Sequence, residues 1–340
     1  MKRHKICKII FAILAVFLCV AFYELIGICI TYKKQPAVSD ATIKETQNIM
    51  SVAGRENTER AVIIEKNSQA LLERVRLIQN AKDEIILSTF AFKSDESGKL
   101  ILGALHDAAD RGVHVRILVD GMESWIDMEG NPYFYGLSSH ENVEIKLYNK
   151  ANPLKPWKTM GRMHDKYLIA DGKIYILGGR NTYNYFLGDF PGHKNFDRDV
   201  LVVCDEPQKD NSVNQLWNYF ETIWEQEDCR YFHNSKKLAD RQSVKKAVLE
   251  LQEGYQQYFE VNKEKICDKD YADETFETEK ITLLSNPIHT QAKEPVVWYQ
   301  LGELMKNAKE RVKIHTPYII CNDMMYNTWE EIAQKVPDFS

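Results

Sequence analysis

The first apolar pattern in the chain is a nearly unbroken run from Ile9 to Tyr32, interrupted among charged residues by Glu24 alone. A helix over that run is long enough to cross a bilayer, because about 20 apolar residues suffice to span the hydrocarbon core. Lys2, Arg3, Lys5 and Lys8 precede it and only Lys33 and Lys34 follow closely, so the positive-inside rule predicts a cytoplasmic N-terminus and an extracytoplasmic remainder. A cleaved signal peptide is the rival reading. Its apolar core normally is shorter and ends at small residues, whereas Ile28-Cys29-Ile30-Thr31-Tyr32 leads into two lysines. Glu24 lies toward the outer end, where a carboxylate costs less than at the membrane centre. Residues 33–58 are polar and poor in large apolar side chains, which predicts a linker.

Beyond residue 58, strand-like and helix-like patterns alternate, the signature of an α/β fold. Between 163 and 170, His164, Lys166, Leu168 and Ala170 share one face of a strand, and Asp165, Tyr167 and Ile169 share the other. Asp171-Gly172 then reads as a tight turn and 173–177 as the returning strand, delivering Gly178, Gly179 and Asn181 beside the first. From 212 to 225, Val213, Leu216, Phe220 and Ile223 or Trp224 recur at helical spacing, a stripe that serves core packing. The stretch 207–280 reads as charge-rich connecting helices, with 268–279 an exposed acidic loop or mobile insertion.

Charge sharpens this picture locally. The chain carries a formal net charge of −5, yet 150–200 holds nine Lys or Arg against five Asp. An anionic substrate fits that stretch, while the absence of a broad basic surface disfavours tight binding to long nucleic acid. Cys7, Cys19 and Cys29 lie in or beside the apolar run, and Cys204, Cys229, Cys267 and Cys321 show no C-x-x-C spacing. No metal site and no cofactor is therefore expected. Up to two disulfides among the last four could form in an oxidising compartment, with three connectivities open, and free buried thiols fit equally well. The histidines at 106, 114, 140, 193, 233, 289 and 315 lack partner spacing and read as structural.

The chemically explicit stretch is 163–172, where His164, Lys166 and Asp171 form His-x-Lys-x4-Asp and Gly178-Gly179-Arg180-Asn181 follows. An imidazole supplies a nucleophile or proton carrier, an ammonium on the same strand face holds charge, and a carboxylate can orient the pair. The glycines would let backbone amides approach an anionic oxygen, and Asn181 could donate to it. A solvated surface cluster is the bland alternative, and the fixed Gly-Gly-x-Asn spacing argues against it. The combination resembles the phospholipase D superfamily, most closely its bacterial cardiolipin-synthase-like members. The likeness runs from about Glu59 onward, through 81–90, a helix at 98–110, a strand at 112–120 and another at 196–203.

That resemblance implies a phospholipase D-like mixed sheet flanked by helices and a metal-free phosphohistidine mechanism. His164 would attack phosphorus, Lys166 and Asn181 would hold the phosphoryl oxygens, and a second histidine from a second motif would protonate the leaving alcohol. The expected site comprises His164, Lys166 and Asp171 as catalytic residues, with Gly178, Gly179, Asn181 and Asp199 binding substrate. Asp120 is a further candidate for the cleft. Arg180 would face phosphate or solvent, and Tyr183 and Tyr185 would flank a head group or, the favoured reading, pack beneath the hairpin.

An internal repeat bears on the second histidine. The segment 80–89 aligns with 307–316, sharing Asn-Ala-Lys and a closing Thr, which predicts a second repeat beginning near 281. The expected organisation is a basic tail at 1–8, a membrane helix at 9–32, the linker at 33–58, a first repeat at 59–206, the connecting segment at 207–280, and the start of an incomplete second repeat at 281–340. A missing second half or a second chain is then needed to complete the site. The leading functional expectation is a membrane-anchored phosphodiesterase or phosphatidyltransferase acting on phospholipid head groups, with the bilayer as its setting. The alternatives are a nuclease of the same chemistry and an inactive phosphate-binding module.

Overall fold

The computed structural model describes residues 2–51, 59–152, 154–267, 270–316 and 318–340. The chain divides into two compact units, Glu56–Ile281 and the pair of segments Met1–Arg55 and Thr282–Ser340. In the latter, α1 (Lys2–Tyr32) is followed by α2 (Asp40–Ser51). Within α1, Lys5–Tyr32 contains an 18-residue stretch of mean hydropathy 2.7, none of it buried, so the segment is long and apolar enough to cross a membrane. The stretch read as a polar linker therefore contains a helix, with Asp40 in its first turn favouring the positive end of the dipole. Residues 52–58 of that linker lie outside the described residues.

The unit Glu56–Ile281 holds, among its described residues, a sheet ordered β8-β4-β3-β2-β5-β6-β7-β1-β9. Its strands are β1 (Arg60–Ile64), β2 (Glu84–Thr89), β3 (His114–Asp120), β4 (Val143–Tyr148), β5 (Tyr167–Ala170), β6 (Ile174–Gly178), β7 (Asp199–Val203), β8 (Cys229–Tyr231) and β9 (Phe276–Glu277). The helices are α3 (Asn67–Asn80), α4 (Glu96–Asp110), α5 (Glu123–Met128), α6 (Pro132–Ser138), α7 (Ser212–Trp224), α8 (Gln242–Cys267) and α9 (Tyr271–Glu274).

β2, β3 and β4 run parallel through α4 and the α5–α6 crossover, and β5, β6 and β7 continue the sheet antiparallel. Strand alternation sorts the faces. Ile85, Leu87, Val115, Ile117, Val119, Ile145, Leu168 and Ile176 join the hydrophobic core with α3, α4, α6 and α8. The opposite face carries Arg116 and Lys146 under α7, whose Phe220 and Trp224 rings stack on them at 4.9 Å and 4.4 Å. The stripe on α7 is thus core packing of a mixed kind, part aliphatic and part cation–π.

Two expectations change. The segment 207–280 is not only connecting helix, because β8 and β9 extend the sheet at its two edges. The acidic stretch near its end is tied down rather than loose. Glu274 pairs with buried Arg76 at 2.9 Å, Tyr271 lies under that guanidinium at 4.0 Å, and Arg60 donates to Thr275. Residues 268 and 269 of that stretch lie outside the described residues.

In the other unit, α10 (Val296–Lys306) leads to β10 (Arg311–Val312), and α11 (Asp323–Lys335) to β11 (Asp338–Phe339), with β10 and β11 paired in parallel. The order α10–β10 repeats that of α3–β2. Among the described residues β2 is bordered by a strand on each side, whereas β10 is bordered by β11 alone, and its ladder is short.

Candidate functional site

One edge of the sheet collects the chemistry. The C-terminal ends of parallel β2, β3 and β4, the N-terminal end of β5, the C-terminal end of β6 and the N-terminal end of β7 all open there. Phe90, Asp120, His164, Lys166, Gly178 to Asn181 and Asp197 to Asp199 consequently share that edge. The β5–β6 turn that makes this possible has Asp171 and Gly172 at φ of 52° and 62°, left-handed central residues of a tight turn closed by Lys173 N–H donating to the Ala170 carbonyl.

His164 lies just before β5 with an accessible ring set edge-on to Phe90, centroids 4.6 Å apart. Partial burial and then the Lys166 charge lower its pKa, with Asp120 opposing them. Lys166 is only 6 % exposed. Its ammonium donates to the His164 carbonyl at 2.6 Å and sits 5.2 Å from the Phe90 centroid. Burial pulls its pKa down to about 8, although Asp165, Asp197 and Asp120 favour the charged form. The strand alternation that predicted a shared face for His164 and Lys166 agrees with this placement.

Asn181 is buried and its side-chain oxygen accepts from Ala91 N at 3.1 Å. Together with the Thr182–Ala91 and Lys93–Thr182 backbone bonds, this zips the chain leaving β6 onto the chain leaving β2. Gly178 and Gly179 make room for carboxylates. A Cβ at Gly178 would lie 1.9 Å from Asp199 Oδ1, and one at Gly179 would lie 2.0 Å from Asp197 Oδ2. The close approach these glycines permit is therefore to Asp197 and Asp199, a different use from the one expected.

Asp171 is not part of this cluster. At about 3.3 Å per residue it stands roughly 16 Å from Lys166, at the far end of β5. Its carboxylate accepts from the backbone amides of Lys82, Asp83 and Glu84, at 2.9, 2.8 and 3.0 Å, fixing the entry to β2. Asp199 reaches the right edge but is committed. It is 1 % exposed and paired with Arg74 at 2.9 Å and Arg180 at 3.2 Å. Arg180 faces neither phosphate nor solvent, since it also binds Asn67, the Ile64 and Glu65 carbonyls and the Asp197 carbonyl.

Sequence reasoning missed Phe90 and Arg162. The Arg162 guanidinium lies 5.1 Å from the Phe90 centroid, so that ring gathers Arg162, His164 and Lys166. Arg162 stands two residues before His164, the same interval that singled out Lys166, and that signal was available in the alternation. Tyr183 and Tyr185 stack on each other with centroids 6.1 Å apart and pack against the core. Among the described residues, no group of three or more His, Cys, Asp or Glu is placed to hold a metal ion.

Residues 75–224 match the family model described as cardiolipin synthase, PLD-like domain. This region belongs to the phospholipase D superfamily, in its cardiolipin-synthase-like branch. An uncharacterized protein of Helicobacter pylori (strain ATCC 700392 / 26695) is 27 % identical over 82 % of the chain and 58 % of its own length. Cardiolipin synthase C of Escherichia coli (strain K12) is 29 % identical over 41 % of the chain and 31 % of its own length. The chain thus spans little more than half of the first of these relatives and about a third of the second. Among solved structures, NucT from Helicobacter pylori aligns with 51 % of the chain and 99 % of its own, at 17 % identity and a TM-score of 0.40.

Proposed function

We propose that this is a membrane-anchored phosphodiesterase or phosphatidyltransferase that acts on phospholipid head groups through a covalent phosphohistidine, in the manner of a cardiolipin synthase. The observation that carries the reading is the accessible His164 imidazole, with its lowered pKa, beside the buried Lys166 ammonium at one sheet edge. A neutral imidazole has the lone pair that attack requires, and a lowered pKa keeps it neutral near pH 7.

In the first step an N–P bond forms from His164 while the P–O bond to the leaving alcohol breaks, and a partner acid returns a proton to that oxygen. In the second step water or an acceptor hydroxyl attacks phosphorus, the N–P bond breaks, and the acceptor's proton passes to the same partner. Lys166 and the Asn181 amide NH2 hold the non-bridging oxygens as charge builds on them. Asp171 and Asp199 act at a distance, as supports of β2 and β7.

The partner acid is a second histidine from another phospholipase D-like half, whether in the same polypeptide or in a second chain. Exposed Trp125 and Ile126 on α5, and Leu154, Met160 and Phe196 in the loops that follow β4 and precede β7, support such a cover, because exposed large apolar side chains beside a site favour a partner. The apolar α1 favours a lipid substrate, and the lysine bias ahead of it favours a cytoplasmic N-terminus.

The test is full-length protein in proteoliposomes offered phosphatidylglycerol or single-stranded DNA. Release of glycerol, together with an acid-labile phosphoryl adduct on the His164 peptide that His164→Gln abolishes, is expected. Nicking of DNA without lipid turnover would replace this reading by the nuclease, and phospholipid binding without turnover by the binding module.

A further inference from the structure

Arg162 has no part in the chemistry assigned to His164, Lys166 and Asn181, yet it stands in their row. Residues 162, 164 and 166 alternate along extended chain, so the three basic side chains lie on one face at intervals of about 6.6 Å. All three gather at Phe90, with the Arg162 guanidinium 5.1 Å, the His164 ring 4.6 Å and the Lys166 ammonium 5.2 Å from its centroid.

Asp120 orients the guanidinium. Its carboxylate, 1 % exposed, accepts from Arg162 Nε at 2.9 Å and Nη2 at 2.6 Å, and from the Met163, Met122 and Glu123 amides at 3.0, 3.1 and 3.0 Å. A side-on grip of this kind uses two of the five guanidinium N–H groups and fixes the plane of the rest. Among the described residues Nη1 meets the Met122 thioether at 3.6 Å, a weak acceptor, and the side chain keeps 28 % of its surface exposed.

A merely structural arginine in this protein looks different. Arg180 is 1 % exposed, with its donors taken by Asn67 and by the Ile64, Glu65 and Asp197 carbonyls. Arg162 neutralises Asp120 and still has donors to spend. Glu123 also lies 3.7 Å from Nη2, and Asp165 and Asp197 face Lys166, so each cation of the row is held beside carboxylates.

We infer that Arg162 is a substrate-binding residue whose Nη1 edge hydrogen-bonds a non-bridging oxygen of the phosphate held at His164. The inference rests on the proposed reading that an anionic phosphate occupies that edge, and it assigns a second cation of the anion site beside Lys166. Lys166 meets the anion as a point charge, whereas the planar guanidinium sets its orientation.

The test uses full-length protein in detergent micelles with inorganic phosphate as the probe, its affinity read by titration calorimetry. Arg162→Lys keeps a cation against Asp120 and removes the Nη1 donors. The double variant Asp120→Asn/Arg162→Gln removes both charges together, so that neither is left buried and unpaired. Phosphate binding is expected to weaken roughly tenfold in both, the scale of one charge-assisted hydrogen bond, with melting temperatures close to that of the unchanged protein. Unchanged phosphate affinity in both variants, alongside weakened affinity in Lys166→Met, would overturn the role of Arg162 and leave the anion site standing. No phosphate binding by the unchanged protein would instead remove the anion site and this inference with it.

Discussion

The two titrating groups of the site pull in different directions along the pH scale. His164 is neutral, and able to attack, above a pKa held below its ordinary value of 6.5, so turnover should rise with pH through a midpoint under that value. Lys166 is charged only below about 8, so the alkaline limb should fall near that pH. Asp197→Asn removes a negative neighbour that favours the ammonium, which lowers the Lys166 pKa further and moves the alkaline limb to lower pH. A pH–rate profile of lipid turnover checks both limbs, and an alkaline limb unmoved in Asp197→Asn would contradict the electrostatic account. The triple of Arg74, Asp199 and Arg180 calls for a different measurement. Asp199→Ala strands two buried guanidinium groups and should cost about 3–5 kcal/mol of stability, read in urea unfolding. The motif made His164 and Lys166 legible because their interval matches the strand period. It misplaced Asp171 because a spacing of five beyond Lys166 carries the chain to the other end of a strand, and it missed Asp199's commitment because Arg74 lies in a distant helix.

At the scale of elements, the hairpin β5–β6 has a working end and a supporting end. Its turn places Asp171 under three backbone amides at the start of β2, so that one side chain joins neighbouring strands where they begin. Asp171→Ala should lower stability by about 1–3 kcal/mol, the cost of unsatisfied amides, while turnover per folded molecule stays near that of the unchanged protein. Thermal unfolding followed by circular dichroism, paired with activity normalised to folded fraction, separates that outcome from a catalytic role, which would remove turnover without moving the melting point. The hairpin strands β5 and β6 and the amphipathic α7 were legible from their periods, and β2 and β3 from the resemblance, whereas β4 was not singled out. β8, β9 and α9 were not, since strands of two or three residues have too few positions to show alternation, and α9 is a single turn set by the Asp270 cap.

For the whole molecule, the apolar α1 and the α/β class were both readable from hydropathy and alternation, which report burial directly, and the mixed sheet from the resemblance. If α1 spans a bilayer, the protein should stay in the membrane pellet through an alkaline carbonate wash and leave it only with detergent; release by carbonate would make α1 a peripheral helix. What the pattern could not convey was which distant segments close the sheet. β1, near the start of this unit, pairs with β7 and β9, which arrive much later in the chain. The ribosome must therefore deliver Val203 before the outer half of the sheet can zip, while β2, β3 and β4 can pair as soon as they emerge. Pulse-labelled hydrogen exchange during refolding should show amides of the parallel strands protected first and those of β1 and β7 last. Asp199 and the arginines that hold it are consequently the latest groups to be fixed, so catalytic competence trails compaction.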